Sequence, residues 1–179
     1  MTQPLTSKQR QRLRTPANLW RALIPLVVVV GLLVLFERAG QPHSDGVHVI
    51  DPSGAVAAAR QQAGFDIEVP NGLPATWRPT STEYTPADAA SAPSLRIGYV
   101  TPAGKYAEFL ESDDAADAVA AQYGPLSSDG SAMVGSVSWA KFTTSDGKTL
   151  LRHTTGKVTV LVTGNAGLAE LSQLAGSLR

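Results

Sequence analysis

Lys157-Val-Thr-Val-Leu-Val-Thr163 decides how the C-terminal two thirds of this chain must fold. Val158, Val160 and Val162 fall on one side of an extended backbone, and Thr159, Leu161 and Thr163 on the other. A period of two belongs to a strand with one buried face. Immediately upstream, Gly135–Thr144 and Lys148–His153 are also rich in strand-forming residues. The turn segments Ser145-Asp-Gly147 and Thr154-Thr-Gly156 are short enough to make hairpins of all three. Hairpin connections make neighbouring strands antiparallel.

Working outward, Thr101-Pro-Ala-Gly-Lys105 is a hairpin turn between strands over Leu95–Thr101 and Tyr106–Glu111. Thr80–Tyr84 reads as a further strand, and Phe65–Val69 as a short one closed by Pro70-Asn-Gly72. Asp51-Pro52 supplies an N-cap and a first-turn proline for an Ala-rich helix to about Gln62, stopped by Gly64. Ser112 opens a second helix with acidic residues at its positive end, and it finishes before Gly124-Pro125. Asn165 caps a last helix with Leu168, Leu171, Leu174 and Leu178 as one apolar stripe. The expected class is α+β: an antiparallel, curved sheet packed by helices on one face, over residues 51–179.

The chain has 179 residues, no cysteine, and 15 basic residues against 15 acidic ones. Disulfides, thiolate metal sites and cysteine nucleophiles are therefore excluded. The zero net charge conceals two opposed segments. Residues 1–38 carry Lys8, Arg10, Arg12, Arg14, Arg21 and Arg38 against Glu37, a net +5, and the remainder carries −5. Between them runs Ala22-Leu-Ile-Pro-Leu-Val-Val-Val-Val-Gly-Leu-Leu-Val-Leu-Phe36. As a helix from Leu19 this stretch reaches about 27 Å, close to the bilayer core of roughly 30 Å when Arg21 snorkels. Glu37 and Arg38 follow at once, and no Ala-x-Ala site appears before Gln41, which disfavours a cleaved signal peptide.

The expected organisation is a basic cytoplasmic tail (1–18), a transmembrane signal anchor (19–38), a juxtamembrane linker (39–50) and an exported domain (51–179). The basic flank puts the N-terminus inside and the domain outside the cytoplasmic membrane. The bilayer is then a partner through residues 19–38. The exported part, at −5, has no footprint for nucleic acid.

No catalytic set emerges. His43-Ser-Asp45 holds the three residue types of a triad, but adjacent residues cannot converge on one substrate atom. His43 and His48 lack the spacing of metal ligands, and His153 reads as a strand residue. Ser138-Trp-Ala-Lys141 matches S-x-x-K, yet in a strand an odd separation puts the two side chains on opposite faces. Gly130-Ser-Ala-Met-Val-Gly135 has Walker spacing without the Lys-Ser/Thr that phosphate binding needs. Glu108, Glu111, Asp113, Asp114 and Asp117 form the densest acidic run, which is read as a solvated helix start. No cofactor and no metal site is expected.

Four stretches carry a resemblance. They are Arg14-Thr-Pro-Ala-Asn-Leu19, Leu73-Pro-Ala-Thr-Trp-Arg-Pro-Thr-Ser81, Gly98-Tyr-Val-Thr-Pro-Ala-Gly-Lys-Tyr-Ala107 and Val160-Leu-Val-Thr-Gly-Asn-Ala-Gly-Leu168. In this order they resemble the actinobacterial single-pass membrane family catalogued as domain of unknown function 4245. Thr76 stands where the family's common Leu-Pro-x-Gly-Trp form has glycine. The resemblance implies topology and setting, and no catalytic residue. Trp77, Arg78 and Tyr99, which lie in these motifs, are the candidate recognition patch.

The first expectation is thus a non-enzymatic envelope protein whose exported domain binds a partner. The alternative is a small module holding a lipid or glycan against a curved sheet. A deep apolar pocket lined by Trp139, Tyr99 or the Val158–Val162 strand would favour the alternative, and a packed, dry sheet–helix interface would remove it. An envelope hydrolase comes third, and it requires the fold to bring together a His, a Ser or an acidic pair, with the geometry around His153 and Ser138 as the first place to look.

Overall fold

The computed structural model describes residues 46–89 and 91–179, of which Val47–Arg179 form one compact unit. The expected tail, anchor and most of the linker lie outside the described residues. Among the described residues no helix is long and apolar enough to cross a membrane.

The chain runs α1 (Ser53–Gln62), β1 (Arg78–Thr85), β2 (Ser94–Val100), β3 (Tyr106–Ser112) and α2 (Ala116–Ala121). It continues with β4 (Leu126–Val134), β5 (Val137–Thr144), β6 (Thr149–Thr155), β7 (Val158–Gly164) and α3 (Leu168–Gly176). All seven strands join one open sheet in the order β1-β2-β3-β7-β6-β5-β4, with every pair antiparallel. Two meanders, β1 to β3 and β4 to β7, therefore meet along the β3–β7 seam.

The hairpins follow from repeated turn chemistry. Thr101-Pro-Ala-Gly-Lys105 and Thr144-Ser-Asp-Gly-Lys148 close alike. The Thr N–H donates to the Lys carbonyl at 2.8 and 2.9 Å, and the Gly N–H donates back to the Thr carbonyl at 2.9 Å in both. Gly104 and Gly147 take φ of +70° and +80°, which side-chain-bearing residues resist. Each Thr Oγ1 also accepts the Lys N–H, at 3.2 and 2.9 Å.

The sheet has apolar residues on both faces. The larger core joins Leu95, Ile97, Phe109, Leu151 and Val162 to Ala59 and Ala63 of α1 and its end, and to Leu171, Leu174 and Ala175 of α3. A smaller one on the other face joins Leu110, Leu150 and Leu161 to Val119 of α2. Helices thus lie on both faces, which corrects the one-face expectation. The cause is visible in β3 and β7, where residues of both parities are buried. Arg152 holds α2 in place by donating to Asp117 at 2.7 Å while its guanidinium lies 4.9 Å from the Phe142 ring.

Several local expectations are corrected. Phe65–Val69 is not a strand; Val69 exchanges backbone bonds with Arg179, and an isolated bridge joins Pro70 to Leu178. The strand β4 was not expected, because Leu-Ser-Ser-Asp-Gly-Ser reads as loop. It forms as an exposed edge with a register shift between Ser128 and Ser131, a device that blunts edge pairing. Gly167, not Asn165, precedes α3, and Asn165 Oδ1 instead accepts the Tyr106 N–H at 2.7 Å. Leu168 is exposed, so the stripe of α3 begins at Leu171. Pro52, not Asp51, takes the N-cap position of α1, and Asp51 just before it accepts the Ser53 N–H at 2.9 Å, which holds its carboxyl below the usual range.

Candidate functional site

The alternation of β3 sends Glu108 to one face of the sheet and Glu111 to the other. Both are buried, at 7% and 1% exposure, which corrects their placement in a solvated acidic run. On its face Glu108 sits in a closed network. Tyr106 Oη and Tyr123 Oη donate to it at 2.7 and 2.5 Å, and Arg96 Nη1 lies 3.6 Å away. Burial is the first cause that pushes both phenols up, Tyr106 to about 12 and Tyr123 further, with Glu108 adding to each. Arg96 is held in turn by Gln122 Oε1 at 2.9 Å. Gly98 makes room for this arrangement: a Cβ there would fall 2.6 Å from Tyr106 Oη and 2.3 Å from Ser81 Oγ.

Glu111 has no such company. Its cross-strand row reads Tyr84, Leu95, Glu111, Val160, His153, an acid in the middle of a largely apolar line. Its only hydrogen-bond donor among the described residues is the Glu68 backbone N–H, 3.2 and 3.3 Å from its two oxygens. Burial, reinforced by the Glu68 charge, raises its carboxyl to about 8 despite that bond.

Glu111 opens into a cavity of about 770 Å³. Its inner wall is Trp139, Val160, Val134, Ala175 and Leu178, all buried. Exposed Asp66, Glu68 and Arg179 stand at the rim, opposite the β4–β5 hairpin at Gly135–Val137. His153 packs against Trp139 with ring centroids 5.3 Å apart, and its Nε2 is 3.1 Å from Thr155 Oγ1. The cavity is thus a bowl of mixed apolar and polar lining with one buried carboxyl in its wall and an acidic rim.

The residues singled out earlier are distributed as follows. Trp77 and Tyr99 stand edge to face in the larger core, at 4% and 6% exposure, so their rings are core packing rather than a surface. Arg78 is half-buried at the start of β1. Thr76 does not disturb the motif, since Trp77 N–H donates to Pro74 O at 2.9 Å. Ser138 and Lys141 lie on opposite faces of β5, and Lys141 pairs with Asp129 at 2.8 Å. His153 packs on Trp139, the neighbour of Ser138 in the strand, so Ser138 and His153 also point to opposite faces. No group of three His, Cys, Asp or Glu suited to a metal occurs among the described residues. Sequence reasoning missed Glu111. The available signal was an acid at an inward position of Tyr106-Ala-Glu-Phe-Leu-Glu-Ser112, in register with Phe109.

Fold and site together define an α+β domain with an open antiparallel sheet and a side-chain-lined cavity on one face. The chain belongs to the family described as Protein of unknown function (DUF4245), whose model matches residues 12–178. Comparison with curated proteins and with solved structures gave no match.

Proposed function

We propose that this protein is a single-pass, membrane-anchored protein of the actinobacterial cell envelope whose exported domain is a non-catalytic receptor for a small ligand. The observation that carries the ligand-binding reading is the cavity, which is lined by Trp139, Val158 and Val160. Its wall combines apolar side chains with polar groups able to orient a ligand, as binding pockets do. A hydrolase would have to draw on other groups than Ser138 with His153, which lie on opposite faces of the sheet. The anchor, through residues 19–38, and its inside-to-outside orientation rest on the +5 flank and the apolar stretch.

Two experiments test this. A fragment screen by NMR on the full chain in nanodiscs should shift resonances of Trp139 and Val160. Val158→Trp, which fills the cavity from a half-buried lining position, should abolish those shifts while the melting temperature holds. Protease added outside cells with a permeabilised wall should digest the domain. Digestion only after the cytoplasmic membrane is opened would reverse the orientation.

A further inference from the structure

We infer that the cavity's ligand carries an ammonium group on an apolar body, and that this group pairs with Glu111. The inference rests on the small-ligand reading above and names the chemistry of the same site.

A carboxyl at 1% exposure is normally ion-paired or bonded by several donors, because burial of a charge without compensation is costly. Glu108, three residues away, shows this chain meeting the requirement with two phenols and a guanidinium. Glu111 has one stretched backbone N–H shared between two oxygens and no salt-bridge partner among the described residues. A cation in the cavity that Glu111 lines would supply the partner its surroundings do not, and would draw the carboxyl into its charged form.

The rest of the lining agrees. The charged and titratable groups around the cavity are Asp66 and Glu68 from the segment after α1, His153 from β6 and Arg179 after α3. The Asp66 and Glu68 side chains are exposed and carry no ion pair among the described residues, so they form an acidic entrance. Trp139, Val134, Val160 and Leu178 would receive the apolar body. An anionic ligand would meet the Asp66 and Glu68 carboxylates against the single Arg179. A neutral one would leave Glu111 as it is.

The chemistry balances simply. Glu111, protonated at neutral pH because burial raises it to about 8, gives its proton to solvent as the ammonium enters. Binding therefore releases a proton from the protein, which a neutral ligand would not cause.

The test uses the full chain in zwitterionic nanodiscs with three isosteric probes: 2-phenylethylamine, 2-phenylethanol and phenylacetate. Calorimetry is run in two buffers of different ionisation enthalpy. The expected result is amine binding at least tenfold tighter than the alcohol, with proton release near neutral pH. Glu111→Gln should remove both the preference and the proton release. Glu68→Gln keeps the backbone donor and lies on the exposed rim, so it should fold normally and weaken the amine about threefold, with a smaller salt dependence. If the alcohol binds as well as the amine and Glu111→Gln changes nothing, the ammonium inference falls and the receptor reading stands. If none of the three probes shifts any cavity resonance, and the wider fragment screen is equally silent, both fall.

Discussion

Glu108 and Glu111 occupy one strand, three residues apart and on opposite faces, and both are almost fully buried. Their surroundings differ completely. Glu108 is enclosed by Tyr106, Tyr123 and Arg96, so it is a structural element that ties β2, β3 and the end of α2 together. Glu111 faces a cavity with a single backbone donor. The contrast teaches that burial of an acid does not mark a site by itself. What marks it is the absence of the partners that the same strand finds three residues earlier.

The comparison can be broken most forcefully at Glu108. Glu108→Ala would leave two phenols and a guanidinium without their acceptor, and about 3–5 kcal/mol of stability should be lost in chemical denaturation. A loss under about 1 kcal/mol would mean that the network is not what holds this face.

Glu111 should respond to pH instead. Its folded value, about 8, lies above the unfolded value of 4.5, so the native state holds the extra proton. Its favourable contribution is complete below 4.5, declines as pH rises through the window, and is gone above about 8. Denaturation of wild type should show a slope of at most about 1.4 kcal/mol per pH unit in that interval, relative to Glu111→Gln. Parallel pH profiles for the two proteins would erase the distinction between the faces.

Smaller effects sharpen the picture on the Glu108 side. Gly98→Ala places a Cβ against Tyr106 Oη and Ser81 Oγ, and a cost of about 1–3 kcal/mol is expected as Tyr106 shifts from Glu108. Arg152→Ala should cost about 1 kcal/mol by releasing Asp117 and Phe142. Hydrogen exchange should then rise in α2 and stay unchanged in α3, which packs on the other face.

Much of the sheet was legible from residue order. Thr80–Tyr84, Leu95–Thr101, Tyr106–Glu111 and the three segments from Gly135 to Thr163 all became strands, because alternation and turn chemistry agree there. The strand β4 escaped because edge strands are polar for protection, and polarity is also what loops show. The two-sided burial of β3 hid the site. A strand covered on both faces loses the alternation that would have separated Glu108 from Glu111, so both looked like part of the acidic run that ends in Asp117. Trp77 and Tyr99 drew attention as aromatic residues in recognisable motifs, whereas the fold uses them to pack β1 and β2 against the core.

The order of strands also bears on how the molecule assembles. Within each meander, neighbours are joined by short connections, the longest being residues 86–93 between β1 and β2, and such hairpins close in about 1–10 μs. The β3–β7 seam instead brings Ala107 to Gly164 and Ser112 to Thr159 across the whole second meander, a closure that is expected to come late. Glu111 belongs to the first half and Val160, Trp139 and His153 to the second. The bowl therefore exists only once the two halves have met. A ligand lodged there would act as a rivet across the seam, slowing the parting of the halves and lengthening the lifetime of the folded domain.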